Sequence, residues 1–437
     1  MKSLHVSLLE KMLRFMAKTV LWKYRPQVIG ITGSVGKSST KEAIALVLSA
    51  QYRVRKNEGN YNNEIGLPLT ILGRKTGGRS LWAWFKIIVY WLRLLLLPYR
   101  YPEILVLEMG IDAKGDMDYL LTIIPINIGV ATHVSGSHLA QFGSIANVAR
   151  EKRKLIKCVP KTGFAILNAD NGETLKMKDV TEANVITYGF SQVADIQVDN
   201  LLFHGDVGHV EGYSFKLNYK GKSVPVRLPF ILAKHLISSA LAAVGVGVAM
   251  KMNLVEIAQA LEGLKSLPGR MNMFSGIQGT QIIDDTYNAS PTSTRAAIET
   301  LSYMQAPRKV AILGDMLELG ENSDEEHARL AEDLRQANVT RVLLVGKHMQ
   351  ALEEALLGIG YQNKQVSWYM DPWGVLEVLS ETLHPSDLIL VKGSQGLRME
   401  FIVEALLAQP EKAESLLCRQ SPTWKKIPFT QPAEWSV

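Results

Sequence analysis

The chain has 437 residues, 47% of them hydrophobic and 21% charged, and that length predicts two or three domains, each able to bury a sizeable core. Its two cysteines, Cys158 and Cys418, are far apart in sequence, which excludes a disulfide framework or a cysteine zinc site and fits a reducing compartment. The net charge is +6, and the first 26 residues alone carry +5, so the basic balance belongs to an arm; no nucleic-acid partner is expected.

In that arm, residues 1–26, Leu4, Leu8, Met12 and Phe15 or Met16 recur every three to four positions with charges between them. This predicts a basic amphipathic helix. A signal peptide would need an uninterrupted apolar stretch. Such a helix packs on its own protein or lies on a membrane surface, and the pattern allows both. A β-type run follows at 27–31, then a glycine loop and a helix from Lys37 to Ala50. Residues 81–97 are apolar except for Lys86 and Arg93, and seventeen residues is at the short edge for a membrane span. The two charges are seven apart and share one helical face. A span here would also put two halves of one sheet on opposite sides of a bilayer. The expectation is an interfacial helix with a Trp/Tyr-rich face, or a helix buried against the protein.

Further buried strands are expected at 104–108, 126–131 and 164–168, alternating with helices as in a largely parallel α/β sheet. From about 185 to 228 the texture changes to antiparallel alternation, at 210–217 and 223–228, followed by helices at 233–250 and 254–265. Leu267-Pro268-Gly269-Arg270 reads as a linker. A second α/β set follows: strands 280–284, 309–313, 341–345 and 387–391, and helices 292–304, 324–337 and 397–408. The polar tail after 418 is expected to be loosely ordered.

Gly33-Ser34-Val35-Gly36-Lys37-Ser38 follows a strand and opens a helix, the setting of a phosphate loop. Glycines let backbone N–H groups approach phosphate oxygens, and a helix N-terminus favours negative charge. Lys37 would reach the outer phosphates and the Ser38 hydroxyl would ligate Mg²⁺. Ile31 stands where the strict pattern has glycine.

The variant Thr32-Gly33-Ser34-Val35-Gly36-Lys37-Ser38-Ser39 resembles the loop of the Mur ligases and their relatives, the folylpolyglutamate and cyanophycin synthetases. The resemblance runs from residue 28 to about 408. It includes Asn60-Tyr61-Asn62-Asn63-Glu64-Ile65-Gly66-Leu67-Pro68, Leu107-Glu108-Met109-Gly110, His138-Leu139 with Phe142-Gly143-Ser144, and Ala149-Arg150-Glu151-Lys152. Beyond these come Asn168-Ala169-Asp170, Pro268-Gly269-Arg270, Asp284-Asp285-Thr286-Tyr287-Asn288-Ala289-Ser290-Pro291 and Lys392-Gly393-Ser394. Leu313-Gly314-Asp315-Met316-Leu317-Glu318-Leu319-Gly320 is similar to the branch that uses D-alanyl-D-alanine. Three departures stand out. Glu151 replaces an alanine, Arg153-Lys154 replaces Gly-Glu, and His235-Leu236-Ile237-Ser238-Ser239 lacks the two asparagines of the adenine-side helix.

The resemblance implies a P-loop central ATPase domain with a mostly parallel sheet over 27–267, with an apolar insert at 79–101. A Rossmann-like C-terminal α/β domain would follow over 268–417, with a tail at 418–437. It implies a cytoplasmic ATP-dependent ligase of peptidoglycan synthesis, in which Mg²⁺ and ATP activate a carboxylate of a UDP-N-acetylmuramoyl-tripeptide for attack by D-alanyl-D-alanine. ATP would be held by Thr32 to Ser39, Arg270, Asp285 and Asn288, and metal by Ser38, Glu108, His138 and Lys152, the lysine carbamylated. Lys37, Lys152 and His138 would be catalytic, and Asn60, Asn63, Asp315 and Glu318 would contact acceptor or dipeptide. Arg270 and Asp285 lie beyond the linker, so domain closure would complete the site. The branch's N-terminal UDP-binding domain has no counterpart before the loop, so the sugar-nucleotide end is expected to be held differently or to be absent. Two alternatives stay open: a ligase of the same superfamily with another acceptor, and a non-catalytic nucleotide-binding protein at a membrane, touching it through 1–20 and 81–97.

Overall fold

Short buried runs bounded by glycine and polar turns become strands, and in the computed structural model they form two sheets. The structure describes residues 4–59, 61–135, 142–206 and 209–427. Two compact units result. The first holds Met1–Leu201, Ser214–Arg227 and Ile237–Leu264; the second holds Leu202–Tyr213, Leu228–Leu236 and Lys265–Val437.

The first sheet contains β1 (Gln27–Thr32), β2 (Val54–Lys56), β3 (Ile104–Glu108), β4 (Ile128–Ala131), β5 (Phe164–Asn168), β6 (Asn184–Gly189), β7 (Ile196–Asp206), β8 (His209–Tyr219) and β9 (Lys222–Leu228). Their order is β2-β3-β1-β4-β5-β6-β7-β8-β9, parallel from β2 through β7. β1 sits between β3 and β4, so the connections leaving it and arriving beside it run to opposite sides. The crevice beyond its C-terminal end is the switch point where such sheets bind ligands. β2 and β3, on either side of the 81–97 segment in sequence, pair directly, with Val54 opposite Ile104. The segment is therefore part of a crossover connection between neighbouring strands.

Helix α1 (Leu4–Tyr24) buries Leu13, Met16, Ala17, Val20 and Leu21 in the first unit's core. That inward stripe is offset from the one expected: Leu8 and Phe15 point outward. Helix α2 (Lys37–Ser49) carries the loop into the core through Ala43, Ile44, Val47 and Leu48, and α3 (Gly66–Leu72) is wholly buried. Helix α4 (Leu81–Leu96) is capped by Ser80, whose hydroxyl accepts from Ala83 N, and α5 (Asp116–Leu121) follows β3.

The second sheet runs β10 (Asn272–Ser275), β11 (Gln281–Asp285), β15 (Leu388–Lys392), β12 (Lys309–Gly314), β13 (Arg341–Val345) and β14 (Val366–Tyr369). All its pairings are parallel except β10 with β11. Residues 418–427, expected to be loose, are tied down. Arg419 donates to Glu400 (2.8 Å) and to the Thr286 and Tyr287 carbonyls, and buried Arg398 reaches the Trp424 and Ile427 carbonyls. Glu400 sits between the two guanidiniums and pairs with both, one oxygen to each, which offsets one of their two charges and lowers the cost of burying them.

Candidate functional site

The loop after β1 is shaped by what surrounds it. Gly33 has φ 150°, and a Cβ there would lie 1.9 Å from Thr132 Oγ1, so only glycine fits. Thr132 Oγ1 donates to the Val35 carbonyl (2.7 Å), and Ser34 N donates to the His133 carbonyl (2.6 Å). The end of β4 thus braces the loop. Gly36, at φ 83°, starts α2, whose first-turn N–H groups face the crevice. Lys37 Nζ folds back to the Ser34 carbonyl at 3.4 Å. Thr32 is fully buried, and Ser39 is half-buried beside Ser38.

Glu108, the last residue of β3, meets this loop because β3 pairs with β1 in register, Ile31 opposite Glu108. Its Oε2 accepts from Ser38 Oγ at 2.8 Å and lies 3.6 Å from Lys41 Nζ. Asn62 Nδ2 approaches Oε1 at 3.5 Å, while Asn57 clasps the Glu108 backbone through both its N–H and its carbonyl. Lys41, Asn57 and Asn62 were not among the expected site residues. Lys41 had a legible signal, since it lies three residues after Ser38 on the same helical face.

Lys152, from helix Ile145–Lys157, reaches under the loop and donates to the Gly33 carbonyl at 2.9 Å. Burial, and then the nearby Lys37 cation, push its amine down to about 7 from near 10.5; Asp112 and Glu151 oppose the shift. The substitution at Glu151 has a local reason. Its Oε1 accepts from Gly115 N and Met117 N at the start of α5, and its Oε2 pairs with Lys154, which also holds Asp118. The acid and the added lysine are partners in one capping network.

The donors fit a magnesium ion and a nucleotide. A hydroxyl and a carboxylate held together at a helix N-terminus are what Mg²⁺ takes from a protein when phosphates and water complete its shell. Among the described residues no group of three or more His, Cys, Asp or Glu gathers as a closed metal cage. His138 and Asn60 lie outside the described residues. Asn63 is exposed, and its Oδ1 accepts from Ile65 N and Gly66 N, capping α3. Ser239, at one of the missing asparagine positions, is buried and hydrogen-bonds Thr40 of α2 (3.2 Å).

In the second unit the strand ends carry a separate cluster. Asp285, closing β11, pairs with buried Lys392, closing β15, and Lys392 also donates to the Asn288 carbonyl at 3.0 Å. Burial drives the Lys392 amine down while Asp285 opposes it. Asp284 is buried and accepts from Gly269 N and from Thr286 Oγ1, which fastens the linker to β11. Burial raises its carboxyl to about 6 despite those bonds. Arg270 lies over the Tyr287 ring, 4.3 Å from its centroid. Asp315 is fully buried, with Oδ1 accepting from Met349 N, so it holds the start of helix Met349–Gly358. Glu318 is exposed with φ 67°.

Comparison with known proteins agrees with this geometry. The Mur ligase middle domain matches residues 31–83 and 88–247, and the Mur ligase glutamate ligase domain matches 269–395. The UDP-N-acetylmuramoyl-tripeptide–D-alanyl-D-alanine ligase of Bacillus subtilis is 33% identical over 91% of this chain and 79% of its own length. That of Escherichia coli is 31% identical over 87% and 76%. The crystal structure of the MurF ligase from Thermotoga maritima in complex with ADP superposes with a TM-score of 0.74 at 26% identity, over 93% of this chain and 84% of that one.

Proposed function

The chain belongs to the Mur ligase family, and from that premise we propose that it joins D-alanyl-D-alanine to the terminal carboxylate of a UDP-N-acetylmuramoyl-tripeptide, forming ADP and phosphate. A carboxylate and an amine do not condense at neutral pH, because the carboxylate offers no adequate leaving group. Transfer of the γ-phosphoryl group to the carboxylate supplies one. The dipeptide amine then attacks the acyl-phosphate carbon, the C–N bond forms, and phosphate leaves with the C–O bonding pair.

The observation that carries this reading is the loop at the switch point with Ser38 Oγ and Glu108 Oε2 2.8 Å apart. The loop amides and Lys37 would hold the phosphates in line. Ser38 and Glu108 would hold Mg²⁺, which when bound offsets phosphate charge. Burial lowers the Lys152 amine to about 7, which favours the free amine that reaction with CO₂ requires and supports a carbamate there. Arg270, Asp285 and Asn288 are proposed nucleotide contacts from the second unit. Asn63, Asp315 and Glu318 are proposed acceptor or dipeptide contacts, Asp315 with its Oδ1 held by Met349 N. His138 and Asn60 remain proposals from the resemblance.

No helix among the described residues is long and apolar enough to cross a membrane. The proposed location is the cytoplasm, peripheral at the inner face of the membrane.

The test is ATP-dependent phosphate release with product mass, using Mg²⁺, UDP-N-acetylmuramoyl-tripeptide and D-alanyl-D-alanine. A product heavier by one dipeptide supports the reading. Nucleotide binding without product, for this and for a lipid-linked acceptor, refutes it.

A further inference from the structure

Helices α1 and α4 meet through their C-terminal halves. Phe15 meets Trp91 edge-on at 5.8 Å, Trp91 Nε1 donates to Thr19 Oγ1 at 2.9 Å, and Lys23 Nζ donates to the Leu94 and Leu95 carbonyls at 2.9 Å. The inward sides of both helices belong to one core: Leu13, Met16 and Val20 from α1, and Ile87, Leu94 and Trp91 from α4. Their outward sides are what the enzyme chemistry leaves unused.

The outward stripe of α1 reads Leu8, Lys11, Phe15, Lys18, Trp22 at helical spacing, all exposed, with Trp22 at 75%. Apolar and cationic residues alternate along it. The outward side of α4 presents Trp82, Phe85, Val89, Leu92 and Leu96, with Leu96 at 77%, flanked by exposed Lys86 and Arg93. Of the 22 large apolar side chains exposed among the described residues, eleven fall on α1, α4 and the turn after it, so the patch is concentrated there. Soluble surfaces rarely concentrate apolar groups in this way without a partner. The one acid in the two helices, Glu10, is buried, so every charge on the outward stripes is positive.

We infer that the paired outward faces of α1 and α4 are a docking surface for an anionic lipid bilayer, on which both helices lie flat. The charge pattern selects this occupant. A second copy of the chain would set Lys11, Lys18, Lys86 and Arg93 against the same cations, whereas an anionic headgroup layer attracts all four. The residue types fit the depth profile of an interface. Leucine and phenylalanine enter the acyl boundary, tryptophan sits at headgroup level, and lysine and arginine stems lie along the apolar surface with their charges in the headgroups. The two helices dock as one plate because Trp91–Thr19 and Lys23 with the α4 C-terminal carbonyls lock them together. The inference deepens the peripheral placement in the proposed function and does not depend on the acceptor that the ligase takes.

The test is flotation of the full chain with vesicles of phosphatidylcholine alone and of phosphatidylcholine with phosphatidylglycerol, at low and high NaCl, with sedimentation velocity in parallel. The expected result is a monomer that floats with the anionic vesicles, at least about tenfold more than with neutral ones, and is released by salt. Each cation is worth roughly fivefold near an anionic surface. The variant Lys11→Glu/Lys18→Glu/Lys86→Glu/Arg93→Glu should therefore lose flotation entirely, and Trp22→Ala/Phe85→Ala should lose most of it. Both variants should keep the wild-type melting temperature and ATP-dependent phosphate release in vesicle-free buffer. Wild type that stays down with anionic vesicles overturns the inference, as does flotation unchanged in the charge-reversal variant. A salt-resistant dimer that Trp22→Ala/Phe85→Ala dissociates assigns the face to a second copy and also overturns it. Failure of the ligase reading shows separately, as flotation without product.

Discussion

Replacing Glu108 by Gln separates two things that this carboxylate does. Its Oε2 lies 3.6 Å from Lys41 Nζ, and the two side chains are 5% and 3% exposed. At an effective dielectric of about 20, unit charges at that separation attract by about 4–5 kcal/mol. Without Glu108 the ammonium keeps, among the described residues, Glu42 at 4.0 Å, which already pairs with Lys56. Partial compensation leaves an expected loss of about 2–4 kcal/mol, a fall in melting temperature of ~5–12 °C for a unit of this size. Adding Lys41→Met removes the stranded charge and should recover at least half of that loss. Activity should not follow. Both Glu108→Gln and the double variant lack the carboxylate beside Ser38, and phosphate release should fall ~100-fold or more in each. Calorimetry and Mg²⁺-titrated phosphate release on the four proteins of the cycle measure both quantities. A coupling energy below about 0.5 kcal/mol, or activity restored by Lys41→Met, would refute the assignment.

Lys152→Ala should abolish phosphate release and regain part of it with short-chain carboxylic acids; full activity in plain Lys152→Ala would sink the carbamate reading. The same lysine predicts a pH dependence. Its folded value near 7 is below that of the unfolded chain, so between these values the unfolded chain binds more protons and stability rises with pH. In CO₂-free buffer, wild type should gain about 2 kcal/mol on Lys152→Met between pH 7 and 9, read from urea midpoints at each pH. Gly33→Ala puts a Cβ 1.9 Å from Thr132 Oγ1 at φ 150°, so it should cost about 2–4 kcal/mol and eliminate binding of a fluorescent ATP analogue. Retained nucleotide affinity would show that the loop moves freely. Glu400→Gln leaves Arg398 and Arg419 buried with no carboxylate between them, a loss of about 3–5 kcal/mol. Limited proteolysis should then cut within 418–427, and an unchanged digestion pattern would contradict the clasp.

Local information carried much of the reading. Strands 27–32, 104–108 and 388–392 were legible because buried parallel strands are continuous apolar runs. The phosphate loop was legible because Gly33 and Gly36 occupy backbone geometries that other residues avoid. β2, with three residues, and β14, with four, were not, because so short a run has no periodicity to detect.

The order of motifs along the chain was enough, by itself, to identify the family, the chemistry and the candidate ligands Ser38 and Glu108. Tertiary structure decided what each polar group is bonded to. Sequence could not say that Glu151 caps α5 while its neighbour Lys152 reaches the loop, or that Asp315 turns inward to Met349. It could not show that Arg419 anchors residues that looked like a free tail. Nor could it choose which stripe of α1 is buried, since apolar residues lie on both sides of that helix and only contact with the core distinguishes them. The reason is physical. Backbone preference and hydrophobic period act within a few residues, whereas the partner of a buried charge is set by packing across tens or hundreds of residues.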